Sequence, residues 1–351
     1  MNQQKQDVKY RAGIVGCGRI GSEFDDDPKR KTVSSHAGAY SNSDDIDLVA
    51  VSDLNEEKLN KCGKRWGITS LYKDYKKMLR EQSLDILSVC TWNTTHLDIV
   101  KDAVNSGIKA ILCEKPIADS LKNADEMVNL CDKKGVILQI NHQRRFDRVH
   151  REARDYIQSG GLGGIQQVSF YYTAGIANTG SHMLDLLRFF FGDVDWVQVV
   201  YSQSRSPNPN DPNIDGMVKF KNGVLCTLQS CDVSEYNIFE MDCLGTKGRL
   251  KITRSGFDLE YYEVRESDLF SGYKELFHSE PPIKKDVPRE FMTSAVSHLV
   301  ECLREGKKSI SSGQDGRAAL ELICACHESA KADGKRITLP LNDSKIRITS
   351  K

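Results

Sequence analysis

The chain has 351 residues, too many for one ordinary core and enough for two domains that each bury their own. Lysine plus arginine equals aspartate plus glutamate, 49 of each, so no global field favours nucleic acid or an anionic membrane. Apolar, aromatic and charged fractions are those of a globular chain and exclude a disordered one.

The start, Met1 to Asp7, is polar and lacks the apolar core of a signal peptide. No apolar run approaches a membrane span; patches such as Phe189-Phe190-Phe191 are short. Eleven cysteines without a paired framework read as free thiols in a reducing cytoplasm. Cys324-Ala325-Cys326-His327 suggests a metal clip, but helix neighbours one and two apart point in different directions and no second ligand pair follows. No metal is expected.

Ala12-Gly13-Ile14-Val15 reads as a buried strand that runs into a glycine turn, Gly16-Cys17-Gly18-Arg19-Ile20-Gly21. Further apolar strands are expected at residues 47–53, 85–90, 109–113 and 136–140. Continuous apolar strands imply a sheet covered on both faces, with helical right-handed crossovers between them. Leu97, Val100, Ala103 and Val104 share one helix face, and Gly107 sits where a C-terminal cap belongs. The first domain, 1–142, is therefore expected to be a doubly wound α/β fold with a parallel sheet.

From about Arg145 the pattern alternates instead. Val168 to Tyr172, Val197 to Val200, Gly216 to Phe220 and Val224 to Leu228 read as half-buried strands. Lys221-Asn222-Gly223 and Gly245-Thr246-Lys247-Gly248 mark tight hairpins, hence a mainly antiparallel, open sheet. Helices are expected near residues 181–191, 291–304 and 316–332. The second domain, 143–351, is thus α+β, with terminal helices free to pack back on the first. Pro207-Asn208-Pro209-Asn210-Asp211-Pro212 reads as a surface loop.

Each glycine of the turn has its own task. Gly16 permits the bend, Gly18 lets the backbone approach a pyrophosphate, and Gly21 allows close helix packing, with the helix N-terminus facing the negative charge. Asp53 ends the second strand, where an acidic residue takes the adenosine ribose hydroxyls. Its long distance from Gly21 implies an insertion, Ser22 to Ser35, before or within the crossover. Asp53 would repel a ribose phosphate, and Leu54 and Asn55 offer one little, so NAD is expected over NADP. Asp53 can also cap the next helix, and the two roles are compatible.

These residues, together with Glu114-Lys115-Pro116, Asn141-His142-Gln143-Arg144-Arg145-Phe146, Gly180-Ser181-His182-Met183-Leu184-Asp185 and the Gly245 to Gly248 hairpin, resemble the Gfo/Idh/MocA family of oxidoreductases over nearly the whole chain. The resemblance implies a Rossmann domain, an α/β domain whose open sheet joins subunits into a homodimer or homotetramer, and a sugar, cyclitol or nucleotide sugar as substrate. It implies that Lys115 and His182 are catalytic and that a cis bond precedes Pro116. Oxidising a secondary alcohol needs the carbon hydrogen to face nicotinamide C4 and the hydroxyl proton to have a destination. A cationic nicotinamide disfavours the charge on Lys115 and eases sharing of that proton, while histidine titrates near neutrality.

Asp185, three residues beyond His182, shares its helix face and is expected among the substrate-binding residues, where it either orients the ring or pairs locally. Many members carry an aspartate four residues before the histidine, where this chain has Asn178; an amide holds substrate hydroxyls but stabilises an imidazolium less well. The resemblance puts Thr91, Asn93, His96, Glu114 and Lys115 near the cofactor with Gly16 to Gly21, although Trp92 replaces the usual proline and His96 can equally cap the next helix. Arg144 and Arg145 are expected at the domain junction, binding a phosphate, a carboxylate or sugar hydroxyls of the substrate or equally forming a structural interdomain ion pair. Two other functions share these motifs: an NAD-retaining enzyme that oxidises transiently to permit elimination or glycoside cleavage, and a non-catalytic sensor of NAD(H) or sugar.

Overall fold

The computed structural model describes residues 9–284, 289–341 and 343–350, so the polar segment Met1 to Asp7 lies outside the described residues. The chain divides into two compact units, the first formed by Met1–Phe146 and Glu290–Arg317, the second by Asp147–Arg289 and Ala318–Ser350.

In the first unit β1 (Tyr10–Val15), β2 (Ile46–Ser52), β3 (Ser70–Tyr72), β4 (Ile86–Val89), β5 (Ala110–Cys113) and β6 (Ile137–Ile140) form one parallel sheet in the order β3-β2-β1-β4-β5-β6. The four residues of β4 and the four of β5 are all buried, as a sheet covered on both faces requires. β3 has three residues and carries no periodicity to read, which is why the sequence offers five strands and the fold six. Its crossovers include α1 (His36–Ser41), α2 (Glu56–Trp66), α3 (Tyr75–Glu81), α4 (His96–Asn105) and α5 (Leu121–Lys134). Residues 291–305 also join this core, through the buried side chains Met292, Val296 and Leu299.

The insertion expected after Gly21 lies within the first crossover. Ser22 N donates to Gly18 O and Phe24 N to Arg19 O, opening a helical turn, and the chain then leaves. It resumes the same turn at α1, where His36 N donates to Ile20 O at 3.0 Å and Ala37 N to Gly21 O at 3.0 Å. The acidic run ties the excursion down: Asp25 Oδ1 accepts from Ser34 N at 2.7 Å, and Asp26 pairs with Lys61 at 2.8 Å and with Arg65 of α2.

The second unit contains α6 (Arg148–Gln158) and α7 (Gly180–Phe191), with the single-turn π-helix Gly175–Thr179 leading into α7. Its strands are β7 (Ile165–Tyr172), β8 (Val194–Tyr201), β9 (Ile214–Phe220), β10 (Leu225–Ser230), β11 (Phe239–Gly245), β12 (Gly248–Thr253), β13 (Asp258–Glu266), β14 (Lys274–Ser279) and β15 (Ile337–Thr338). They form one sheet, β14-β13-β12-β11-β7-β10-β9-β8-β15, antiparallel except for the β7–β10 pair. β9–β10 and β11–β12 are the two hairpins marked by glycine turns. Along β11 every second residue is buried and the others are half-buried, so one face meets the core and the other stays open. After α8 (Phe291–Glu305) of the first unit, α9 (Gly313–Lys331) continues into the second.

One buried ion pair closes the second unit. Asp147, 1 % exposed in its side chain, begins the unit and caps α6 by accepting from His150 N at 3.0 Å. Arg289, at the other end of the same segment, donates Nε to Asp147 Oδ1 and Nη2 to Oδ2, both at 2.8 Å, and Nη2 also reaches Gly256 O at 2.7 Å. Burial raises the Asp147 pKa, but His150 and Arg289 outweigh it and hold the carboxyl down at about 2. A depressed carboxyl contributes stability that is full above its unfolded pKa of about 3.9 and is lost as pH falls through its folded value. Asp147→Ala should therefore cost about 3–5 kcal/mol at neutral pH by taking the carboxylate away from the largely enclosed Arg289 guanidinium. Urea unfolding measures this directly. The loss should shrink between about pH 4 and pH 2, and an unchanged midpoint at neutral pH would remove the pair from the account.

Candidate active site

The candidate site of the first unit grows from the level at which its strands stop. The ladder continues one residue past each strand: Gly16 N donates to Ser52 O at 2.8 Å, Cys90 N to Val15 O at 2.8 Å, Glu114 N to Val89 O at 2.9 Å and Asn141 N to Cys113 O at 2.8 Å. Strand order reverses between β1 and β4, so the carboxyl edge opens a crevice there, the usual place for a ligand in a doubly wound sheet. The glycine turn follows β1, the Thr91 to His96 segment follows β4, and Glu114-Lys115 follows β5.

The three glycines differ in what surrounds them. Gly16 has φ +101°, and a Cβ there would stand 2.6 Å from Cys90 O. A Cβ at Gly21 would overlap the Gly16 carbonyl. At Gly18 the nearest atom is Lys58 Nζ at 3.8 Å, so the backbone is uncovered on that side. A pyrophosphate fits such a cradle, and the residues able to hold it are Gly18, Arg19 and Ile20 through the turn's backbone. Arg19 is exposed, with its guanidinium 4.9 Å from the Phe24 ring centre. The Cys17 side chain is buried in the core, and its N–H donates to Asp53 Oδ2 at 2.7 Å. Asp53 Oδ1 accepts from Asn55 N at 2.8 Å. Asn55, not Asp53, caps α2, accepting from Lys58 N at 3.0 Å. Asp53 therefore braces the glycine turn at the end of β2.

Behind Lys115 lies a buried polar cluster. Glu114, 7 % exposed, sets Oε1 2.9 Å from His36 Nε2 and accepts from Asn141 Nδ2 at 2.6 Å. Its Oε2 accepts from Lys115 N at 3.3 Å. His36 Nδ1 lies 2.7 Å from Ser88 Oγ, which lies 2.7 Å from Tyr40 OH. Burial alone would raise the Glu114 pKa. The hydrogen bonds and attraction of His36, the Asn141 amide and the Lys115 charge bring it below its ordinary value. Glu114 is thus an anion turned toward the protein, while Lys115 itself is half-buried and joined to Pro116 by a cis bond.

The other expected residues take different places. Asn93 is buried and donates to Ala118 O at 3.1 Å. Thr91 Oγ1 lies 2.7 Å from Thr95 Oγ1. His96 is wholly buried, with Nδ1 and Nε2 each 3.1 Å from a backbone carbonyl, of Ile117 and Thr91 respectively. Burial lowers its pKa. Expected beside the cofactor, it instead links the loops after β4 and β5 from behind. Of the two alternatives for Arg145 the structure shows the ion pair, within one unit and not between domains: Arg145 is 5 % exposed, donates to Ile310 O at 2.8 Å and pairs with Asp315 at 3.0 Å, all in the first unit. Arg144 is half-buried.

The second unit holds Asn178 at the end of the π-helix, then His182 and Asp185 on α7. Asn178 and His182 are half-buried and Asp185 is 1 % exposed. The expected surface loop departs from expectation at one residue. Asp211 is 2 % exposed and accepts from Ala177 N at 2.7 Å and Asn178 N at 2.9 Å. His36, Tyr40 and Ser88 carry almost no sequence signal of the cluster they form. A histidine that resumes an interrupted crossover helix leaves no periodic mark, and a serine inside an apolar strand is the only trace of the cluster in sequence.

Comparisons with known proteins bear on the family and the fold. The family described as "Oxidoreductase family, NAD-binding Rossmann fold" matches residues 10–142, and its "C-terminal alpha/beta domain" matches residues 175–339. The chain is 26 % identical to the D-apiose dehydrogenase of Paraburkholderia graminis, over 94 % of this chain and 90 % of that protein. It is 23 % identical to the myo-inositol 2-dehydrogenase of Thermotoga maritima, over 91 % of this chain and 96 % of the relative. Its fold is shared by the WlbA dehydrogenase of Bordetella pertussis, solved with NADH and UDP-GlcNAcA, with a TM-score of 0.76 at 23 % identity over 95 % of this chain and all of that one. Among the described residues no helix is long and apolar enough to cross a membrane. With both of its domains matched and its glycine turn opening the sheet at the reversal of strand order, the chain belongs to the Gfo/Idh/MocA family of NAD-binding oxidoreductases.

Proposed function

We propose that this protein is an NAD-dependent dehydrogenase that moves a hydride between a secondary alcohol and the nicotinamide ring, the alcohol belonging to a sugar, a cyclitol or a nucleotide sugar. The observation that carries this reading is the position of Lys115. It stands two residues beyond the four buried residues of β5, after Glu114, on the same carboxyl edge as the uncovered Gly18 backbone and Asp53. The named activities of the apiose and inositol dehydrogenases support the substrate class, and the UDP-GlcNAcA complex of WlbA supports its nucleotide-linked form.

NAD, when bound, supplies the hydride acceptor. Lys115 hydrogen-bonds the reacting oxygen, and His182 takes the hydroxyl proton as general base. Asn178 and Arg144 hold neighbouring hydroxyls or a charged substituent, while buried Asp185 supports the helix face of His182. Glu114 acts through the Lys115 backbone that it anchors. At the adenosine end, Asp53 accepts a ribose hydroxyl and repels a ribose phosphate, which favours NAD over NADP. The open face of the second sheet joins copies of the chain as a homodimer or homotetramer.

Lys115→Ala or His182→Ala should slow turnover of a polyol by about a hundredfold or more with coenzyme affinity nearly intact. The rise in absorbance of reduced nicotinamide, across a panel of inositols, free hexoses and nucleotide sugars, is the measurement. Wild-type rates in both variants would falsify those roles, and tightly retained NAD turning over without accumulated NADH would replace the net reaction with elimination. Asp53→Ser should shift the ratio of NAD to NADP affinity by about tenfold toward NADP, or about 1.4 kcal/mol. Fluorescence titration with the two reduced coenzymes reads that ratio, and no change in it would exclude Asp53 as the discriminator.

A further inference from the structure

The segment that leads to His182 is held from outside its own helix. Four successive amides of the π-helix meet three successive residues of the loop before β9. Gly175 N donates to Asn213 Oδ1 at 2.8 Å, Ile176 N to Pro212 O at 3.1 Å, Ala177 N to Asp211 Oδ1 at 2.7 Å and Asn178 N to Asp211 Oδ2 at 2.9 Å. These are the donors that the start of a helix leaves without intrahelical partners. The two bonds to the carboxylate are charge-assisted, and a negative charge is favoured at that end of a helix.

Backbone geometry indicates that this hold is needed. Ala174 lies in the left-handed region at φ +67°, costly for a residue with a side chain, and Gly175 has φ +91°. A Cβ at Gly175 would stand 2.6 Å from Asp211 O, so the loop and the turn are fitted to each other. The loop end is itself fixed: Asp211 N donates to Asn208 O at 2.9 Å, and Asn213 Nδ2 reaches Ser204 Oγ at 3.0 Å and Arg205 O at 3.1 Å. The wider π turn gives Asn178 a different angular position from the one an α-helix would impose, and single π turns recur at functional sites.

We propose that Asp211 is a positioning residue: by gripping the amides of Ala177 and Asn178 it sets the directions in which Asn178 and His182 face their substrate. This rests on the reading of His182 as the base given above. His182 follows Asn178 by four residues, about 6 Å along the helix axis, so a tilt of the first turn is carried directly to the imidazole. An amide at position 211 cannot reproduce the clamp, because its NH₂ would face one of the two backbone donors.

The test uses the full chain with Asp211→Asn and Asp211→Ala. We expect kcat for the polyol to fall by about tenfold to a hundredfold while the NADH dissociation constant changes by less than about twofold, since small misplacements are that costly. Amides 175–178 should lose protection from hydrogen exchange, and the NMR ring signal of His182 should move. Wild-type kcat with an unmoved ring signal overturns the proposal even if exchange accelerates, because Asp211 would then serve only to hold the loop. If Asp211→Ala does not fold, Asp211→Asn, which keeps the side chain's size, carries the same measurements. The ring signal and exchange need no substrate. A wild-type chain that oxidises no polyol therefore removes the reaction assigned to His182, while these two readouts still decide whether Asp211 orients it.

Discussion

A carboxylate buried at the end of a parallel strand must find partners, and Glu114 finds them from three directions. His36 reaches it from α1, Asn141 from the end of β6, and the Lys115 amide from the next residue in the chain. An unpaired charge in that position would cost far more than a typical domain can spare. The need to neutralise it therefore constrains where α1 resumes after its excursion and where β6 stops. Ser88 and Tyr40 complete the cluster by fixing the other nitrogen of His36. The Lys115 amide is thereby tied to a neighbour that is itself bonded on several sides.

The second unit solves the same problem in the same way with unrelated residues. Asp211 is buried, and its carboxylate is directed at backbone amides of the segment bearing Asn178 and leading to His182. Asp147 is buried too, and it fixes the start of α6 through His150 and Arg289. In each instance a buried carboxylate is hydrogen-bonded by groups around it and accepts from an adjacent backbone amide.

Much of the scaffold is legible along the chain because it depends on local rules. Gly16 is needed where φ is positive, Gly21 where a side chain would overlap the turn, and Gly18 where the backbone is uncovered. Runs such as Ala110 to Cys113 announce a strand with both faces covered, and Gly192, at φ +83°, ends α7 where expected. β3 escapes notice because three residues show no period, β13 because its residues are mostly half-buried without alternation, and β14 because its exposed alternation resembles that of a polar loop. Arg145 illustrates a different limit. A pair of adjacent arginines advertises a binding site, but only the fold brings Asp315 from about 170 residues away to one of them.

By itself, then, the sequence determined the class of fold, the position of the dinucleotide turn, the strand that delivers Lys115 and the helix that carries His182, because each follows from spacing and side-chain periodicity within a few turns of chain. Tertiary structure alone decided which polar residues face inward. Glu114 met His36 across 78 positions, Ala177 and Asn178 met Asp211 across more than thirty, and His96 was enclosed between two loops. Such partnerships arise from the demand that buried charges and amides be satisfied wherever the folded chain brings them, and no local pattern encodes the partner.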